Sequence, residues 1–204
     1  MDQAEPWIGL IVAAISAAAA LAAWRAAAGS RKAAAELTAI ERDRRHAELT
    51  PQLVPRISPE GPGRFRIRIQ LDGPLELGKL DRVVVSVRND TTDHTPLLGD
   101  VTPEQANAHI WGPLRFIPGV DGASADGRQV GPVALGVGDD MPFVLGLTSP
   151  PLWNASGDAW WHDRYHSGKS PVRLAVRCEK DGEQPWVIPI EVSPSKYEYS
   201  GSAS

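Results

Sequence analysis

Between Arg64 and Leu71 polar and apolar residues alternate without a break: Arg64, Arg66, Arg68 and Gln70 are interleaved with Phe65, Ile67, Ile69 and Leu71. A period of two belongs to an extended strand, whose successive side chains leave on opposite faces, so this segment can bury one apolar face only as β-structure. The same alternation recurs at Val83, Val85 and Val87, and at Val172, Leu174, Val176 and Cys178 against Arg173, Ala175, Arg177 and Glu179. Trp186, Ile188, Ile190 and Val192 repeat it once more, with Lys180-Asp181-Gly182 as the hairpin turn between the last two strands. Weaker strands are expected at Gln52–Ile57, Leu114–Ile117, Val130–Val137 and Met141–Leu147. In a chain with 18 prolines and 19 glycines, short strands at this spacing predict a mainly β domain over residues 51–192. The expected architecture is an antiparallel, immunoglobulin-like β-sandwich. A single cysteine excludes an internal disulfide and a cysteine-based zinc cluster, so the sandwich must rest on its apolar core.

The N-terminal part obeys a different rule. From Trp7 to Trp24 the chain carries 18 residues with no charge and one polar side chain, Ser16. As a helix this run spans roughly 27 Å, close to the hydrocarbon thickness of a bilayer. The tryptophans stand at its two ends, where an indole favours the lipid–water boundary. Residues 7–24 are therefore expected to be a transmembrane helix, with residues 1–6 as a short external N-terminus. Asp2 and Glu5 precede the run without a base, whereas Arg25, Arg31 and Lys32 follow it without an acid. That asymmetry sets the expected location as the cell membrane, single-pass, with the C-terminal domain cytoplasmic. A cleaved signal peptide, which opens on a basic segment, is the less consistent alternative.

Residues 25–50 are poor in helix breakers until Pro51 and predict a juxtamembrane helical stalk. Ala33, Leu37, Ile40 and Ala47 follow a 3-4 spacing with Arg44 at the intervening seam position, a weak pattern for a homodimer through the stalk. Residues 193–204 read as a disordered tail.

This layout of Ala-rich span, stalk ending Arg44-Arg45-His46-Ala47-Glu48-Leu49-Thr50-Pro51 and Trp160-Trp161 pair before a final hairpin resembles uncharacterised actinobacterial single-pass membrane proteins with a helical stalk and a small β domain. The resemblance covers most of the chain and implies no activity.

Two long stretches, Asn89–Gly112 and Pro150–Ser170, fit no strand, and loops of that length are where function concentrates. Their tryptophans, Trp111, Trp153, Trp160 and Trp161, are candidate partner-binding residues, since aromatics anchor interfaces. The run Arg64, Arg66 and Arg68 on one strand face is a second candidate dock, for an acidic partner, a phosphate-bearing ligand or a membrane surface. The competing expectation is that such arginines pair with acids across the strands. His162 and His166 share a face if helical and are weak candidates for a metal, with a third ligand from Asp158, Asp163, His94 or His109. Gly168-Lys169-Ser170 lacks the spacing and following helix of a phosphate loop. No catalytic residue is assigned and no cofactor is expected. The formal net charge of −4 disfavours a nucleic-acid partner.

The reading that results is a membrane-anchored, non-catalytic β-sandwich module with a protein-interaction or scaffold role at the cytoplasmic face. The alternatives are a metal-assisted hydrolase using His162 and His166, or an extracellular wall- or lipid-facing binding module.

Overall fold

A computed structural model describes residues 24, 32, 34–94, 101–153 and 157–193 of the chain. It divides into two units, Met1–Glu48 and Leu49–Ser204. In the first, residues 34–48 form helix α1, as the absence of glycine and proline there demands. Leu37 and Ile40 are 67% and 62% exposed on it. Arg44 Nε donates to Glu48 Oε1 at 2.8 Å, one turn along the same helix. No helix among the described residues is long and apolar enough to cross a membrane. The expected span at 7–24 lies outside the described residues except for Trp24. Residues 1–6 and the tail beyond residue 193 also lie outside them.

The second unit contains eight strands: β1 (Gln52–Gly61), β2 (Arg64–Gly73), β3 (Lys79–Val87), β4 (Leu114–Phe116), β5 (Gln129–Gly136), β6 (Asp140–Leu147), β7 (Val172–Glu179) and β8 (Trp186–Val192). They form two four-stranded sheets, in the orders β1-β2-β6-β4 and β5-β3-β7-β8. Every pairing is antiparallel. The mainly β, antiparallel sandwich read from the alternation is therefore present, and each strongly alternating segment is a strand.

The period-two pattern also names the buried faces. Ile67, Ile69 and Leu71 of β2 and Met141, Phe143 and Leu145 of β6 are at most 3% exposed. With Val83, Val85 and Val87 of β3 and Leu174, Val176 and Cys178 of β7 they form one continuous core shared by the two sheets. Each such aliphatic side chain contributes about 1.5–3 kcal/mol by leaving water. Burial pushes the Cys178 thiol up to about 12.

The largest departures from the expected boundaries are in β3, which begins at Lys79 rather than Val83, and in β1. β1 runs to Gly61, through Ser58 and Pro59, rather than stopping at Ile57. It is an edge strand with a single ladder, to β2, so a proline missing one N–H can be accommodated.

Two long connections leave the sandwich. That between β3 and β4 contains α2 (Pro103–Ala108), begun by a capping box in which Thr102 and Gln105 bond each other's backbone N–H groups. That between β6 and β7 contains α3 (Gly157–Trp161), which runs into a single π-helical turn at His162–His166.

Candidate functional site: an aromatic lid and an arginine face

The two long connections meet. Trp111, Trp161 and Tyr165 form a second buried cluster, separate from the main core, with Trp153 packed against it. Trp111 lies 5.4 Å from Trp161 and 5.7 Å from Trp153 between ring centroids, and Trp161 lies 4.6 Å from Tyr165. Trp111 is fixed at its polar edge as well: its indole N–H donates to the Ala106 carbonyl at 2.8 Å, and its backbone N–H to Asn89 Oδ1 at 3.1 Å. Of the tryptophans expected to present themselves to a partner, Trp111 and Trp161 are only 3% and 1% exposed. They close the lid from within and offer no surface to a partner. Trp153 is half-buried, and Trp160, 37% exposed, carries the Arg164 guanidinium 5.5 Å above its ring.

Beside these rings lies an ionic cluster that no local sequence pattern marked. Asp90 Oδ1 is 2.6 Å from His94 Nε2 and accepts from the Thr92 backbone N–H at 3.1 Å. Asp90 Oδ2 accepts from Arg164 Nη2 and from the Tyr165 hydroxyl, each at 2.9 Å. The His94 ring stacks on Trp111 at 3.8 Å with the planes 6° apart. Burial opposes ionisation of Asp90, but hydrogen bonds from Arg164, His94, Tyr165 and Thr92 outweigh it and hold the carboxyl below its ordinary range. The Tyr165 phenol is pushed well above its ordinary value, first by burial and then by the neighbouring Asp90 carboxylate. Both groups keep their normal ionisation near neutral pH, which suits a clasp joining residues 90–94 to residues 164–165.

A second polar hub sits under α2. Arg128 Nη2 donates to the carbonyls of Asn107, Ala108 and His109 at 3.1, 3.0 and 2.9 Å, and Nη1 reaches Asn89 Oδ1 at 3.2 Å. These are the carbonyls a helix leaves unpaired at its C-terminal end, where a cation is favoured. The Asn89 amide also donates to the Asn107 carbonyl at 3.1 Å, so its side chain is engaged on both atoms.

The histidines do not converge. His162 and His166 stand edge to face with centroids 5.8 Å apart, and among the described residues no group of three or more His, Cys, Asp or Glu could hold a metal. His94 is turned to Asp90, His109 Nε2 bonds the Ser149 carbonyl at 2.9 Å, and Asp163 pairs with Lys169 at 3.1 Å. Burial lowers the pKa of His109 and of His166 and so favours their neutral forms. His109 lines a small cavity of about 200 Å³ together with Arg115, Asp126, Thr148 and Ser149.

The predicted arginine run occupies the outer face of β2, its apolar partners turned inward. Arg66 pairs with Glu60, and Arg68 Nε lies 3.9 Å from Asp140. Arg64 has no ion pair among the described residues. No protein family, no curated protein and no solved structure matches this chain.

Proposed function

We propose that this chain is a membrane-tethered, non-catalytic module that presents a β-sandwich at the cytoplasmic face of the membrane for interaction with a partner. The observation that carries the reading is the layout: a charge-free run at 7–24, bases directly after it, a helix at 34–48 and a compact β unit beginning at Leu49. Tethering confines the module near the bilayer and raises its effective concentration toward anything else held there. The non-catalytic part of the proposal is supported by how the reactive side chains are used. Asp90, Arg164, Tyr165, Asn89 and Arg128 are bound to one another or to backbone, where they hold loops in place.

The immunoglobulin-like reading belongs to the same proposal. In spatial order β1-β2-β6-β4 is like A-B-E-D and β3-β7-β8 like C-F-G, while β5 beside β3 follows β4 in the chain, where the added strand of an immunoglobulin variable domain precedes D. Fold of this kind hosts many functions, so the layout carries the functional argument.

Reporter fusions after Ser204 test the reading. A reporter active only in the cytoplasm should give signal, and one active only outside should not. The reverse pattern overturns it and favours an extracellular wall- or lipid-facing module.

A further inference from the structure

The two outer faces of the sandwich treat their arginines differently. On β3, β7 and β8 every one has an acid: Arg173 meets Glu191 at 2.9 Å, and Arg177 and Arg82 share Glu179 at 2.7 and 3.8 Å. On the other sheet the β1–β2 register sets Arg56 directly opposite Arg68. Like charges opposed across two strands repel, and the pair weakens the sheet unless an anion lies between them. Asp140 is 3.9 Å from Arg68, but both side chains are about half exposed, so solvent screens most of that attraction. Farther along β2, the row through Arg64 passes Gly146 of β6, which has no side chain, and ends at Arg115 of β4. Among the described residues Arg56, Arg64 and Arg115 have no ion pair. At ordinary strand spacings these four arginines spread over about 14 Å in each direction of one sheet face. The background is acidic, with 15 bases against 19 acids from residue 51 onward, whereas the four strands of this sheet carry five arginines against Glu60, Asp72 and Asp140, a net positive balance.

We propose that this arginine face docks the β unit against an anionic phospholipid surface, the guanidinium groups taking the phosphate and carboxylate oxygens of the headgroups. A guanidinium presents a planar fork of donors that fits such oxygens. None of the large exposed apolar side chains stands on β1, β2, β4 or β6, so the face lacks the apolar anchor on which protein interfaces depend. The choice of lipid over an acidic protein rests on the tethered reading, which puts a bilayer within reach. Docked this way, the module would turn its opposite sheet and its paired arginines toward the aqueous side.

The test uses the full chain with vesicles of phosphatidylcholine alone and vesicles that also contain phosphatidylserine. An environment-sensitive fluorophore is attached at Ser58→Cys, on the arginine face, or at Val187→Cys, on the other. Native Cys178 is buried and does not compete for label. The Ser58 label should shift to the blue and become shielded from an aqueous quencher only with phosphatidylserine, and raised salt should reverse the shift. The Val187 label should not change. Each lost charge near such a surface weakens attraction about fivefold, so Arg56→Gln/Arg64→Gln/Arg68→Gln should weaken docking about 100-fold. The corresponding triple lysine variant, which keeps the charge, should retain most of it and controls for folding. Identical Ser58 signals on the two kinds of vesicle overturn the docking face and point to an acidic protein instead. Flotation at high salt reports the tether separately. Protein that fails to float there defeats the tethered reading, while arginine-dependent flotation at low salt would still sustain the docking face.

Discussion

Asp90 joins two segments that are far apart in sequence, and its charge is what the others are arranged around. Its side chain is 8% exposed and faces an arginine, a histidine and a phenol. Asp90→Asn keeps the shape but removes the charge, and should cost about 1–3 kcal/mol in chemical denaturation. The pH dependence has a definite sign. A carboxyl whose folded pKa lies below its unfolded value contributes fully above the ordinary aspartate range. It loses that contribution as pH falls through the folded value. The wild-type protein should therefore lose stability below about pH 4 more steeply than Asp90→Asn, measured by urea melts across the acid range. Cys178 gives a second expectation at this scale. With the side chain fully buried and the thiol raised to about 12, alkylation at neutral pH should proceed only as fast as the domain unfolds.

Among the elements, α2 depends on a residue outside itself and β5 on a single glycine within it. α2 has only six residues, too few to be stable in isolation, and its last carbonyls are held by Arg128 from the segment just before β5. Arg128→Ala should cost about 1–3 kcal/mol and speed hydrogen exchange locally, around residues 103–111, while the sheets stay protected. β5 bends at Gly131, where φ is +105° and the register with β3 shifts. A Cβ there would lie 2.6 Å from the Val83 carbonyl oxygen of the neighbouring strand. Gly131→Ala therefore meets both a disfavoured backbone region and a backbone atom that cannot yield, and should lower the melting temperature markedly.

On the scale of the β unit, two buried clusters imply two levels of stability. The main core is continuous across both sheets, whereas the lid of Trp111, Trp161 and Tyr165 is separate and small. Trp161 Nε1 in the lid and His166 Nε2 beside it are buried ring nitrogens with no hydrogen-bond partner among the described residues. Unsatisfied buried polar atoms of this kind lower local stability. Native-state hydrogen exchange should show residues 161–166 opening at lower free energy than β2, β3, β6 and β7. Leu174→Ala, in the main core, should cost about 2–5 kcal/mol and lower every protected amide together. Uniform protection through lid and sheets would contradict this division.

The alternation of Arg64–Leu71 and its counterparts determined by itself where the strong strands run and which faces they bury, because strand geometry maps a period of two directly onto two faces. It also marked both long connections as something other than strand, and placed Arg64, Arg66 and Arg68 on one outer face. The contents of the connections were decided only by the tertiary structure. Asp90 and Arg164 are separated by 74 positions, Asn89 and Arg128 by 39, and neither pair has a periodic signature, since a loop's partners are set by where the sandwich brings its ends. The tryptophans carried no local mark of depth either. Trp160 and Trp161 are adjacent, yet one is partly exposed and the other buried, because a helical turn points neighbouring side chains in different directions and only the packing of Trp111 chooses between them. Pairing of the arginines was likewise a matter of register: the cross-strand neighbour that neutralises Arg173 is a glutamate, and the one that faces Arg56 is another arginine.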